Sequence, residues 1–248
     1  MKKSLFVVSL LLFPLWICAQ IGDHRNEFSM GVNSGYAMSN VGFVPKVTQD
    51  WHGGMTGGAS FRYVSEKYFS MICSIYGEIN YAKIGWKEKI LDLHNAPVIN
   101  SSTGVAEEYS RTINYMQVPI LAHLGWGKED KGFQVFFQAG PQFGYMLSES
   151  TDMNFDINSV NLNDRTNKEI TQYSMPVEHK FDYGIVGGIG VEYTLPKVGH
   201  FLLDARYYYG LASIYGDTKR DYFSKSNLTN VVVKLSYLFD LTKTQNKK

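Results

Sequence analysis

VVVKLSYLFDL, residues 231–241, alternates along its whole length. Val231, Val233, Leu235, Tyr237, Phe239 and Leu241 share one face; Val232, Lys234, Ser236, Leu238 and Asp240 share the other. Successive side chains on an extended chain point to opposite faces, so this stretch is a strand with one apolar face and one carrying charge. The preceding run repeats it, with Phe201, Leu203, Ala205, Tyr207, Tyr209 and Leu211 opposite Asp204, Arg206 and Tyr208. Further out, 132–148 sets Phe133, Val135, Phe137, Ala139, Phe143, Tyr145 and Leu147 against Gln134, Gln138, Gln142 and Gly144. Segment 109–126 sets Met116, Val118, Ile120, Ala122, Leu124 and Trp126 against Gln117 and His123. Earlier still, Phe69, Met71, Cys73, Ile75 and Ile79 oppose Ser70, Ser74, Glu78 and Asn80. Eight such segments are expected, over 27–38, 55–65, 68–86, 109–126, 132–148, 178–194, 200–214 and 228–241. Helical periodicity is nearly absent.

The middles of the apolar faces carry no charge, whereas Arg62, Glu78, His123, Asp182, Glu192, Asp204, Arg206, Lys234 and Asp240 fall on the opposite faces. A Lys or Arg on a lipid-facing position near the bilayer midplane costs about 2–4 kcal/mol, which explains so clean an exclusion. A soluble barrel has the reverse arrangement, and alternation alone does not say which face points out. The connections arbitrate. Short turns are expected at Val64–Lys67, Gly127–Lys131 and Leu195–Gly199, and long loops at Ser39–Gly54, Lys87–Glu108, Glu149–Val177 and Tyr215–Asn227. Short periplasmic turns alternating with longer extracellular loops mark outer-membrane barrels. The expected fold is all-β, an eight-stranded antiparallel up-and-down transmembrane β-barrel. Trp51, Trp86 and Trp126 fall at strand ends, where aromatic girdles meet headgroups.

Composition agrees. Aromatics are 15% of the 248 residues, with 23 Gly and only 7 Pro, a mixture that fits many short strands. The balance of 24 Lys+Arg to 23 Asp+Glu argues against nucleic acid as a partner. Lys2 and Lys3 followed by the apolar run Leu5–Ile17 read as an export signal, too short to span a bilayer. The expected division is a signal peptide over 1–19 cleaved after Ala19, a barrel over 20–241 and a polar periplasmic tail over 242–248. A lipoprotein reading at Cys18 is disfavoured by the bulky Trp16 and Ile17 before it. The mature chain keeps one cysteine, Cys73, so it has no internal disulfide.

The chain resembles the PorT-type outer-membrane β-barrel family common in Bacteroidota. The resemblance rests on EFSMGVNSGYAMSNVGFVPKV at 27–47, RYVSEKYFSMICSIYGEINYAKIGW at 62–86 and YSRTINYMQVPILAHLGWG at 109–127. It continues in FQVFFQAGPQFGYML at 133–147 and FDYGIVGGIGVEY at 181–193. Its hallmarks are the Y-x-Q-V-P-I-L strand, Tyr115–Leu121, and the G-P-Q-F-G stretch, Gly140–Gly144. The resemblance implies an outer-membrane location and an envelope or secretion-machinery partner, and fold resemblance alone does not transfer a role in secretion.

Chemistry is sparse. A nucleophilic site needs His beside Ser or a carboxylate. Of the six histidines, His24 falls at the expected periplasmic start, His52 and His94 in outer loops and His179 at a rim, with His200 opening a strand. His123 faces the interior and is the one suggestive position; a hydrogen-bonded interior residue is its plainer account. No catalytic residue, cofactor site or metal site is assigned. Gly184–Gly190 lacks the G-x-G-x-x-G order and runs on as strand, so its glycines are expected to let large side chains pack inside. The interior of an eight-stranded barrel is just wide enough for side chains to fill. Arg62, Arg206 and Lys234 are therefore expected to pair there with Glu78, Asp182, Glu192, Asp204 and Asp240, while Arg165, in a long loop, is expected to tolerate replacement. The function expected is a monomeric outer-membrane barrel with a structural, interaction or transport-accessory role, embedded in lipid and without enzymatic chemistry. A secreted soluble barrel for an apolar ligand and a lipid-modifying enzyme stand as alternatives.

Overall fold

Eight antiparallel strands carry the chain up and down: β1 (Asp23–Val44), β2 (His52–Tyr68), β3 (Met71–Glu88) and β4 (Tyr109–Gly127). They continue as β5 (Gly132–Met153), β6 (Phe181–Leu195), β7 (Gly199–Ser213) and β8 (Lys225–Thr242). This computed structural model describes residues 22–100, 103–129, 131–216 and 221–243. The expected signal peptide, 1–19, and residues 244–248 of the expected tail lie outside the described residues. Every strand pairs with the next, and β8 returns to β1, so the sheet closes on itself. Tyr36 of β1, for instance, is in register with Met55 of β2 on one side and Val233 of β8 on the other. Closure leaves none of the eight ring strands with a free edge, the condition for a sheet to sit in lipid; the two-residue strand Gln49–Asp50 only adds to the long-loop end of β3.

The alternation resolves with the apolar face outward. Val32, Ile75, Ile120, Val135, Ile189, Leu203 and Leu235 are exposed, while Glu78, His123, Glu192, Asp204, Arg206 and Lys234 are buried in the lumen. A soluble apolar-binding barrel needs the opposite. Exposing a Val, Leu, Ile or Phe to water rather than burying it forgoes about 1.5–3 kcal/mol, so so many outward positions demand an apolar solvent. The first outward charge on β3 is Lys83, near the long-loop end.

Several expected boundaries move. β1 and β2 run further than expected, to Val44 and from His52, leaving a short connection at 45–51 where a long loop over Ser39–Gly54 was expected. The expected turn at Val64–Lys67 is strand instead. Its polar residues sit at a register shift between Val64 and Glu66, and the chain reverses at Phe69 and Ser70, with Phe69 in the left-handed region at φ 52°. A bulge and a turn share the same polar composition, and only pairing separates them. The turns after β4 and β6 fall where expected. The glycine run acts as expected. A Cβ on Gly190 would lie 2.4 Å from the Phe136 ring, and one on Gly188 would lie 2.8 Å from the Arg206 side chain.

Candidate functional site

The lumen holds two charge clusters. In the middle, Glu78 on β3 accepts from Arg206 on β7 at 3.0 and 2.9 Å, from Lys234 on β8 at 2.6 Å and from Asn80 at 2.7 Å. Asp204 takes the remaining Arg206 donors at 2.6 and 3.2 Å, and the guanidinium lies 5.6 Å from the centre of the Tyr76 ring. Towards the short-turn end, Arg62 pairs with Glu192 at 2.7 Å. Glu192 also faces His200 Nδ1 at 2.6 Å, and His200 Nε2 faces Asp240 at 2.9 Å. Ser29 donates to Asp240 at 2.7 Å. Buried charges need such partners, because the cost of leaving water is recovered only through close opposite charge and hydrogen bonds.

The expected pairing of interior charges holds for Arg62, Glu78, Glu192, Asp204, Arg206 and Lys234. It fails for Asp182, which accepts from the Tyr208 hydroxyl at 2.6 Å. Asp240 bonds His200 and Lys243 rather than the three expected cations. The bridging role of His200 was missed in the sequence. Strand parity places it on the face of Asp204 and Arg206, and that was the available signal.

His123 lies beside a serine, with Nδ1 3.1 Å from Ser74 Oγ. The pair is enclosed between the Tyr76 and Phe136 rings, whose centres are 5.9 and 4.4 Å from the imidazole. The cavity next to it, shared with Arg62 and Glu192, measures about 30 Å³, water-sized and far too small for an acyl chain. His123 opens neither to lipid nor to a cleft. Among the described residues, His24 and His94 are exposed, His52 Nε2 lies 3.2 Å from Thr112 Oγ1, and His179 Nδ1 lies 3.0 Å from the Ser213 carbonyl. No group of three metal-ligating side chains occurs among the described residues.

The long-loop end is closed by an aromatic cap. Phe43, Trp86, Tyr215 and Phe223 pack together, with Phe43 5.4 Å from Trp86 and 4.9 Å from Phe223. Trp86 is fully buried here, so it is not a girdle residue; Trp51 and Trp126 are the exposed pair. Inward parity on β3 sends Trp86 under the loops, which its place near a strand end does not reveal. Arg111 of β4 holds two loops at once, donating to Tyr215 Oη at 2.9 Å and to the Met175 carbonyl. Segment 154–180 lies across the mouth as three short 3-10 turns. Its Gln172 donates to Glu88 at 3.0 Å, and its Tyr173 ring packs 4.5 Å from Tyr109.

Arg165 does not stand free in its loop. It is 1% exposed, paired with Glu107, donating to Tyr173 Oη at 2.8 Å and lying 4.8 Å from the Phe155 ring centre. Burial pushes the Tyr173 phenol well above its usual range, so it meets Arg165 as a neutral hydroxyl. The charge pattern of a loop does not show that the loop folds back over the barrel, and that fold is what buries this residue.

A closed, outward-apolar ring of eight strands with a charged, plugged lumen defines a small β-barrel of the outer-membrane type. The chain belongs to the outer membrane protein beta-barrel domain family, whose model matches residues 18–216. No curated protein matches it. Among solved structures it is similar to the outer membrane protein OprG from Pseudomonas aeruginosa, at 15% identity and a TM-score of 0.44, over 88% of this chain and 98% of that one. It is also similar to Neisserial surface protein A, at 10% identity and TM-score 0.37, over 86% and 97% of the two chains. The outer membrane protein AlkL, solved in DMPC lipid bilayers, is 12% identical with TM-score 0.37, over 92% and 96%.

Proposed function

We propose that this chain is an exported outer-membrane barrel that works through its capped long-loop face, in a structural, interaction or transport-accessory role without enzymatic chemistry. One observation carries the reading: the lumen is packed with paired charges under a folded cap, so the described residues leave neither a wide pore nor an open cleft for a substrate. On this reading residues 1–19 are removed on export, the short turns face the periplasm and the loops face outward. At a finer level the chain is similar to the PorT-type barrels of Bacteroidota, and its partner is an envelope or secretion-machinery protein met by a monomeric barrel. The cap offers exposed Leu93, Ile99 and Val105 on segment 89–108 for such a contact.

The test is capture from detergent-solubilised outer membranes through a tag on the C-terminal tail. A partner retained by the full chain and lost from a Leu93→Asp, Ile99→Asp double variant supports the reading. Recovery of the protein in the soluble periplasm, or stepwise ion conductance in planar bilayers, overturns it.

A further inference from the structure

The geometry points to a binding site for one anionic glycerophospholipid at the short-turn rim, its phosphate held by Lys197 and Lys243 and an acyl chain laid along Val198, Phe239 and Leu241. These residues line an outer-surface notch of about 370 Å³ between the β6–β7 turn and the end of β8. Its lower part is continuous with the lipid belt, since Val198, Phe239 and Leu241 are exposed outward. Lys197 and Lys243 line the same notch. Lys197 makes no salt bridge among the described residues and stands at φ 64°, a left-handed conformation that costs a side-chain-bearing residue energy. That conformation belongs to the tight β6–β7 turn, where Val198 N–H donates to the Leu195 carbonyl at 3.1 Å behind Pro196, and it sets Lys197 on the notch.

Lys243 faces Asp240 at 3.0 Å. That carboxylate, the one acid on the notch, is already engaged from the barrel side through Ser29 at 2.7 Å and His200 at 2.9 Å. Asp240 therefore orients Lys243 while its own charge is shared inward, and the outward field of the notch is positive. The notch offers two cations, so it favours a lipid with net negative charge over a zwitterionic one, whose amine would be repelled. This inference deepens the proposed function and rests on the barrel lying in lipid.

The experiment is a titration of the mature protein, folded in neutral detergent, with dioleoylphosphatidylglycerol or dioleoylphosphatidylcholine, read by native mass spectrometry. One phosphatidylglycerol should be retained preferentially. Lys197→Gln and Lys243→Gln should each weaken it roughly five-fold, the effect of removing one lysine at an anionic surface. Lys83→Gln and Lys180→Gln at the other rim should leave it unchanged. Lys197→Gly, which relieves the backbone yet removes the cation, should fold normally and still lose binding. Equal retention of phosphatidylcholine, unchanged binding in the double variant, or equal losses at Lys83 overturns the site. Heat-shifted mobility on SDS gels checks each variant separately; loss of that shift in the unmodified protein would count against the membrane barrel itself, not the notch.

Discussion

Arg206 on β7 and Glu78 on β3 meet across the barrel axis, 128 residues apart in sequence, through two hydrogen bonds of 3.0 and 2.9 Å. The strands stand on opposite sides of the ring, so the fork of Arg206 spans the lumen like a tie-bar. Both side chains are almost wholly buried. The planar guanidinium gives Glu78 and Asp204 four hydrogen bonds together, more than the three donors of a lysine could supply.

Arg206→Ala should therefore destabilise the barrel by about 3–5 kcal/mol, since it leaves Glu78 and Asp204 as buried charges short of a partner. Urea unfolding in detergent, followed by the heat-dependent gel shift, measures the loss. Arg206→Lys should recover only part of it. A change of Arg206→Ala within experimental error would mean that the lumen is wet and wide.

The outer belt makes the opposite demand. Leu235 faces outward near the middle of β8 and is 59% exposed. Leu235→Lys should cost about 2–4 kcal/mol in a bilayer and far less in the denatured state, which has no such belt. Folding into phosphatidylcholine vesicles reads this. Tolerance of the lysine would indicate a water-facing surface.

Arg165 anchors the cap, not the barrel. Arg165→Ala should leave the gel shift intact but loosen 154–180, because Glu107 and Tyr173 lose their shared partner. Removing one partner of a buried hydrogen-bonded pair costs about 1–3 kcal/mol, enough to open a locally folded segment. Faster hydrogen exchange in 154–180, with unchanged exchange in β3 and β7, is the expected signature.

Orientation can be read from the same segment. Lys168 is exposed on the cap and Lys128 is exposed in the turn after β4. Trypsin added to intact cells should cut after Lys168 and spare Lys128, whereas buried Arg165 should resist until the cap is disturbed. Cleavage at Lys128 first would turn the barrel over.

Much of this molecule was legible in the chain. Backbone geometry alone alternates side chains across a strand, so the two faces of 201–211 or 231–241 could be read before any partner was known. The period-two segments gave the count of strands, and the alternation of short and long connections, beside the exclusion of charge from one face, named the face that meets lipid. Which charge meets which was not legible. Arg206 finds Glu78, and Asp182 finds only Tyr208, because closure of the ring and the stagger between its strands set the partners; those are properties of all eight strands together. The same holds for Trp86 and Arg165. Their burial depends on segments 154–180, 214–216 and 221–224 folding over the mouth, and loops have no period from which such a fold can be read. The local pattern thus decided the wall of the barrel, and the tertiary structure alone decided what fills and covers it.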